Sequence, residues 1–127
     1  MIKLRVKTSS RIQAINITGQ VIDAVRGKDG GLCHVYTPHT TCGLIVNEQA
    51  DPDVIRDIIE ALDRMAPADY AYRHIEGNSD AHVKSVLMGS SVLIPCSRGV
   101  LQLGTGQGIF LMEFDGPRDR GVMVTLI

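Results

Sequence analysis

Histidine, hydroxyl, thiol and carboxylate side chains crowd one short stretch of the sequence. His39, Thr40, Thr41 and Cys42 are consecutive, and Glu48 follows six residues later. Imidazole and thiolate groups bind zinc, while a glutamate binds metals or acts as a general base. The same residues also suit a plain turn, in which hydroxyls and imidazole satisfy free backbone groups and Cys42 packs in the core. The spacing alone leaves both interpretations open.

A second polar cluster surrounds the start of a predicted helix. Its members are His74, Asn78, Asp80, His82, Lys84 and Ser85. If Asp80 caps that helix, His82 lies in its first turn, where free N–H groups attract anions, and Lys84 adds a donor for phosphate. The histidines of the chain are His34, His39, His74 and His82, and three imidazoles that converged would leave an open position on zinc. The alternative is a solvated loop with an ordinary helix cap.

The third cluster is the glycine-rich segment Gly104-Thr105-Gly106-Gln107-Gly108. An apolar strand follows it rather than a helix, so a dinucleotide phosphate would have no helix N-terminus to bind. We therefore reject a Rossmann loop and expect a bend or a close backbone approach at this segment.

The fourth cluster is charged and follows a predicted strand. Glu113 and Asp115 fall on one face of that strand. Arg118 and Arg120 follow a tight turn at 115–117, and two guanidinium groups can hold a phosphate through paired hydrogen bonds. The alternative is a hairpin turn with surface ion pairs, which are worth about 0–1 kcal/mol each.

Short strands and three helices are expected to position these clusters. Alternation of apolar and charged residues over 2–7 predicts a half-buried strand. Further strands are predicted at 12–17, 32–37, 44–46, 91–95, 100–103, 109–114 and 122–127. Helices are predicted to begin at Thr18, Asp51 and Asp80, each acting as the cap. The final run of strands favours an α+β fold with a largely antiparallel sheet.

Composition narrows the class of protein. The 127 residues include 13 basic and 14 acidic side chains, which predicts one domain, 1–127, and argues against nucleic acid as a partner. No apolar run approaches the roughly 20 residues that span a bilayer, so we expect no membrane partner. Three cysteines without a C-x-x-C pair, and an N-terminus without an apolar signal core, favour a cytoplasmic protein.

Four segments, taken in order, make the chain similar to a known family. They are His39-Thr40-Thr41 with Asn47-Glu48, then Asp80-Ala81-His82-Val83-Lys84, Leu103-Gly104-Thr105, and Glu113-Phe114-Asp115-Gly116-Pro117-Arg118. With these segments the chain resembles the YjbQ-like family of secondary thiamine-phosphate synthases over about residues 10–127. Four segments in one order are far more specific than any single segment.

The resemblance implies an α+β domain with a β-sandwich-like core, assembled as a homotrimer. It also implies a site near a subunit boundary, built from His39, His74, Asn78 and His82, with Glu48 and Arg118 close by. The implied reaction joins a pyrimidine diphosphate to a thiazole phosphate and releases pyrophosphate. Such a reaction needs cationic or metal stabilisation of the leaving group.

We accordingly predict three sets of site residues. The metal ligands are His39, His74 and His82, for zinc or a similar divalent metal. The catalytic groups are Glu48 and His82. The substrate ligands are Thr40, Asn78, Lys84 and Arg118. Mg²⁺ is expected to accompany a diphosphate substrate.

One position departs from the family pattern. Gly106 stands where the family's Gly-Thr-Trp-Gln segment has its tryptophan. Losing an indole removes a large apolar contact area, so a wider pocket or a neighbour that fills the gap is expected. Cys42 is left out of the ligand sets, since the family tolerates small residues there.

Three functions remain open from the sequence. The first is a trimeric transferase with thiamine-phosphate synthase activity. The second is a metal-assisted hydrolase of a small phosphorylated substrate, in which zinc lowers the pKa of bound water to about 7. The third is a trimer that binds a phosphorylated metabolite without turning it over.

Overall fold

Eight strands and three helices make up the chain, and a computed structural model describes all residues from 1 to 127. The strands are β1 (Ile2–Lys7), β2 (Gln13–Asn16), β3 (Leu32–Tyr36), β4 (Cys42–Glu48), β5 (Ser91–Ser97), β6 (Val100–Leu101), β7 (Gln107–Glu113) and β8 (Asp119–Leu126). The helices are α1 (Thr18–Val25), α2 (Pro52–Met65) and α3 (Ser79–Met88). Every strand pairing is antiparallel, which confirms the predicted α+β fold.

Two sheets face each other across the main core. The larger has the order β1-β8-β3-β5-β6 and the smaller β2-β7-β4. Val35 and Val124 from the larger sheet pack with Leu44 and Leu111 from the smaller, and Val21 of α1 joins them. The single domain is therefore sandwich-like, as expected.

A second core lies on the outer face of the smaller sheet. Phe110, Met112 and Phe114 of the β7 segment pack there against Leu62 of α2 and Ala81 of α3. Side chains alternate between the two faces of a strand, and both faces of β7 are covered. For this reason β7 is buried at every position after its first residue.

The start of α2 follows its sequence signal. Asp51 accepts a hydrogen bond from the Asp53 N–H at 3.0 Å, and Pro52 is the first helical residue. A proline fits there because its missing N–H would have no helical partner. None of the three helices combines the length and apolar character that a membrane crossing requires.

The predicted caps of α1 and α3 were wrong. Thr18 lies inside α1, where its hydroxyl accepts the Ile109 N–H at 2.8 Å. Asp80 lies inside α3 and is fully buried, and the residue that precedes this helix is Asn78. In both cases a partner distant in sequence takes the side chain that the local pattern assigned to a cap.

Three loops cross between the two sheets at one end of the sandwich. Residues 8–12 link β1 to β2, 37–41 link β3 to β4, and 114–118 link β7 to β8. Helix α3 lies directly on β4, since a Cβ at Gly43 would be 2.6 Å from the Cβ of Met88. The crossings bring the first, second and fourth polar clusters together.

Candidate functional site

A cleft of about 330 Å³ opens where the three loops cross, and we call it the histidine cleft. It contains five of the predicted site residues, His39, Thr40, Asn78, His82 and Arg118. Its other lining residues are Pro38, Thr41, Glu76, Asp115 and Arg120. No aliphatic or aromatic hydrocarbon side chain other than the proline ring lines it, so the cleft suits a small polar ligand.

His39 is held by the backbone of the neighbouring strand. Its Nε2 accepts the Gly121 N–H at 2.9 Å, so the neutral ring carries its proton on Nδ1. Burial and the Arg120 charge lower the pKa of His39, with a smaller contribution from Arg118, and they outweigh the opposing Glu113 carboxylate. At neutral pH the ring is therefore an uncharged N–H donor.

A buried ion pair lies below the cleft. Glu113 of β7 is fully buried, and the Arg120 side chain of β8 is 3% exposed. Arg120 donates from Nε to Glu113 Oε1 at 2.9 Å and from Nη2 to the other carboxylate oxygen. The same Nη2 donates to Thr41 Oγ1 at 2.8 Å. The sequence allows surface ion pairs for this cluster, whereas this pair is buried at the end of the core between the sheets.

Glu113 makes further hydrogen bonds that tie the crossing loops together. It accepts from the Thr8 hydroxyl at 2.8 Å and from the Asp115 N–H at 3.1 Å. Burial alone would raise the pKa of Glu113, but the hydrogen bonds from Arg120, Thr8 and the Asp115 N–H lower it. The carboxylate is thus ionised and bonded to two of the three loops, while Arg120 bonds to Thr41 in the third.

Arg118 is positioned at the rim of the cleft. Its Nε donates to the Asp115 carbonyl at 2.7 Å and its Nη2 to the Asp115 carboxylate at 3.0 Å. The side chain is 51% exposed, and its Nη1 has no partner within the chain. Asn78 Nδ2 donates to the same carboxylate at 2.9 Å, while its buried Oδ1 has no partner. One guanidinium nitrogen at the exposed rim is therefore free to bind a ligand, whereas the Asn78 Oδ1 is unpartnered but closed to solvent.

His74 and His82 lie together, but they do not form a triad with His39. Their ring centroids are 5.6 Å apart and the rings are nearly perpendicular. His74 Nε2 is 3.6 Å from Glu76 Oε2, and His74 is outside the cleft lining. No group of three or more His, Cys, Asp or Glu side chains is arranged to hold a metal ion. The donors of one chain therefore do not fit a three-ligand zinc site.

Lys84 does not line the histidine cleft, in contrast to its predicted role as a phosphate ligand. Its side chain is 1% exposed, and Nζ donates to Asp63 at 2.6 Å and to Asp80 at 3.2 Å. Arg11 Nη2 lies 2.9 Å from both Asp80 oxygens. Burial would raise the pKa of Asp80, but the hydrogen bonds from Arg11 and Lys84 lower it. Lys84 thus neutralises a buried carboxylate beneath α3.

Glu48 also lies away from the histidines. It ends β4, six residues from Cys42, which places it roughly 20 Å along the strand from the cleft end. Its Oε2 accepts the Ala50 N–H at 2.9 Å. Gly106 has a φ of 80°, and a Cβ there would be 3.0 Å from Glu48 Oε2. Within one chain, the departure at Gly106 therefore affects the Glu48 end and not the histidine cleft.

Four buried polar residues support the cleft, and the sequence motifs indicate this role for none of them. They are Thr8, Thr41, Glu113 and Arg120. A signal was present for Glu113, which continues the alternation of Ile109 and Leu111 on the core face of β7. A charged residue in a core-facing register needs a buried partner, and only a residue of another element can supply it.

Comparison with known proteins agrees with this fold over the whole chain. The family model described as UPF0047 protein YjbQ-like matches residues 2–127. UPF0047 protein MJ1081 of Methanocaldococcus jannaschii is 45% identical, across 100% of this chain and 94% of its own. UPF0047 protein YugU of Bacillus subtilis is 41% identical, across 98% of this chain and 96% of its own.

Solved structures give the same result. An uncharacterised YjbQ/UPF0047-family protein of Clostridium acetobutylicum superposes with a TM-score of 0.95 at 51% identity, covering 100% of both chains. The conserved hypothetical protein TT1486 of Thermus thermophilus superposes with a TM-score of 0.94 at 45% identity, again covering 100% of both. The chain therefore belongs to the YjbQ-like UPF0047 family.

Proposed function

We propose that the chain is a cytoplasmic transferase that acts on phosphorylated small molecules, with thiamine-phosphate synthase chemistry. In that reaction the bond between the pyrimidine methylene carbon and the diphosphate oxygen breaks, and its electron pair leaves with pyrophosphate. The thiazole nitrogen donates its lone pair to the same carbon. The reaction assignment rests on the family resemblance, and the substrate class rests on the histidine cleft.

The observation that carries the substrate class is the set of free donors in a cleft without an apolar lining. Arg118, whose charge is paired with Asp115, offers an unpartnered Nη1 as a hydrogen-bond donor, and His39 offers Nδ1–H in the same cleft. Thr40 adds a hydroxyl. Cationic and N–H donors stabilise the charge that develops on a departing pyrophosphate. A hydrophobic metabolite would gain little from such a surface.

The residues of this chain divide the work accordingly. Arg118 and His39 bind the diphosphate oxygens, and the half-buried His82 protonates or orients the substrate at the opposite wall. Asn78 holds the Asp115 carboxylate that in turn orients Arg118. Mg²⁺ arrives with the diphosphate as part of the substrate, and no step here passes through a resident metal.

Exposed apolar side chains support assembly into the homotrimer that the resemblance implies. Tyr36 and Leu93 are exposed on the uncovered face of the larger sheet, and Val83, Val86 and Leu87 are exposed on α3. Exposed large apolar side chains that cluster in patches are typical of contacts between protein chains. Sedimentation of the purified protein measures the number of subunits.

The reaction is tested by mixing the purified protein with the pyrimidine diphosphate, the thiazole phosphate and Mg²⁺. We expect pyrophosphate release that requires the thiazole phosphate. His82→Gln and Arg118→Gln should each lower kcat/KM by about 100-fold, the effect of removing a donor used in the transition state. Arg56→Gln, at an exposed site outside the cleft, is the matched control for Arg118→Gln and should retain activity.

Other products would identify the competing functions. Pyrimidine diphosphate hydrolysis without the thiazole phosphate, with about one metal per chain by elemental analysis, would replace the transferase with the hydrolase. Saturable binding of both compounds without turnover would leave a metabolite-binding trimer. Equal activity in His82→Gln and the wild type would remove the histidine cleft as the site.

A further inference from the structure

A second cavity shares a wall with the histidine cleft. Its volume is about 380 Å³, and it lies along the paired strands β1 and β8. Its walls include Lys3, Arg5, His39, Asp119, Arg120 and Gly121. His39 and Arg120 line both cavities, so the imidazole lies where the two meet.

The strand register explains why this cavity is open. Lys3 and Arg5 are exposed on one face of β1, and Arg5 is paired with Gly121 on β8. An added Cβ at Gly121 would be 3.8 Å from His39 Nε2, an ordinary contact distance. Glycine is therefore not required here by steric conflict. Its effect is to leave an open floor between the Arg5 side chain and the imidazole.

The charges around the cavity are not balanced. Neither Lys3 nor Arg5 forms a salt bridge within the chain. Asp119 is the one carboxylate in the wall, and Arg120 is already neutralised by Glu113. Two free cations against one exposed carboxylate give a concave surface that favours anions.

We propose that Lys3 and Arg5 form a second anion subsite, which binds the phosphate of a second substrate separately from the anion at Arg118. This inference rests on the proposed function, because a reaction between two phosphorylated molecules needs two places for phosphate. His39 lies between the two subsites and is held by the Gly121 N–H. The two reacting molecules would then approach one another across the His39 ring.

Calorimetric titration with inorganic pyrophosphate, in the absence of any organic substrate, tests the subsite. The wild type should bind two anions per chain. Combined Lys3→Gln and Arg5→Gln substitution should weaken one event about tenfold or more and leave the other unchanged. Arg118→Gln should do the reverse. Lys7→Gln removes the same charge from the same face of β1 outside the cavity, so it should leave both events unchanged.

Gly121→Val provides a second route to the same result, because its side chain would fill the cavity floor without removing a charge. It should weaken the event that depends on Lys3 and Arg5. A single binding event that depends on both Arg5 and Arg118 would mean one continuous site and would overturn the proposal. An equal loss in Lys7→Gln would mean a diffuse surface field and would also overturn it.

The subsite and the proposed function fail in different ways. Two pyrophosphate binding events without any turnover of the organic substrates would reject the transferase and keep the subsite. Normal turnover by the Lys3→Gln and Arg5→Gln variant, with an unchanged KM for both substrates, would reject the subsite and keep the transferase.

Discussion

Two ionic networks support the histidine cleft, one beneath its crossing loops and one beside α3, and they differ in their access to water. The first, which we call the Glu113 network, comprises Thr8, Thr41, Glu113 and Arg120. The second, the Asp80 network, comprises Arg11, Asp63, Asp80 and Lys84. All members of the first are buried, whereas in the second the Arg11 and Asp63 side chains are 42% and 48% exposed.

This difference matches the elements that each network supports. The Glu113 network joins three crossing loops, which are linked to one another by isolated backbone hydrogen bonds, such as Thr8 N–H to the Arg118 carbonyl at 2.8 Å and Gly116 N–H to the Arg11 carbonyl at 3.0 Å. The Asp80 network fixes the side of α3 opposite His82, and that helix already has its own hydrogen bonds. The loop wall therefore relies on side chains in addition to a few backbone hydrogen bonds, whereas the helical wall has a continuous backbone pattern and uses its side chains for orientation.

The largest effect is expected from breaking the Glu113 network at its cation. Arg120→Met leaves the buried Glu113 carboxylate without its counter-ion, and such a loss typically costs about 3–5 kcal/mol. Urea unfolding at neutral pH measures the change in the free energy of unfolding. The double variant Glu113→Gln and Arg120→Met removes both charges, so it should recover part of that loss. A single variant within about 1 kcal/mol of the wild type would show that the pair does not hold the loops.

A smaller effect is expected in the Asp80 network. Lys84→Met leaves Asp80 with its bidentate bond to Arg11, so we expect a loss of about 1–3 kcal/mol in the same urea assay. Asp63→Asn is the control for Lys84→Met, because it removes a more exposed member of the same network. Its carboxylate is nearly half exposed, so its substitution should cost less than about 1 kcal/mol. The comparison fails if Lys84→Met is as costly as Arg120→Met.

The two networks also show which structural features could be predicted from the sequence and which could not. Alternation along β1 and the Asp51-Pro52 signal identified elements correctly, because both depend on residues close in the chain. Asp80 and Lys84 are also close in sequence, yet their partners Arg11 and Asp63 come from other elements. Local patterns cannot show which polar side chain a distant element will bury. For this reason the sequence predicts Asp80 as a helix cap and Lys84 as a phosphate ligand, whereas the two side chains bond to each other and to residues of other elements.

The residues of the candidate site show the same dependence on distant elements. His39, Thr40, Asn78, His82 and Arg118 were predicted and do converge, since each lies in or beside a loop at one end of the sandwich. Glu48 was grouped with His39 because it is near in sequence, but an intervening extended strand carries it to the far end. His39 and Glu48 are only nine residues apart in the sequence, but they are far apart in space because seven of the intervening and terminal residues form the extended strand β4.

The smallest expected effect is a pH dependence that belongs to the loop wall alone. The folded-state pKa of His39 is lowered from 6.5, chiefly by burial and Arg120, so the unfolded chain binds a proton there that the folded chain does not. The contribution of neutral His39 to the free energy of unfolding should then be complete above about pH 7. It should decrease as the pH falls through 6.5 towards the folded-state pKa. Nuclear magnetic resonance titration of the His39 ring protons measures that pKa directly.

The matched substitution separates this effect from general acid destabilisation. His39→Gln keeps an acceptor for the Gly121 N–H and has no titratable proton, so its unfolding free energy should change less than the wild type between about pH 7.5 and about pH 5.5. Below that window, protonation of Glu113 and Asp80 lowers stability in both proteins, because their folded-state pKa values are lowered from 4.5 and 3.8. A measured His39 pKa at or above 6.5 would contradict the lowered pKa, because folding would then not disfavour the charged ring. The pH dependence assigned to the loop wall would be lost with it.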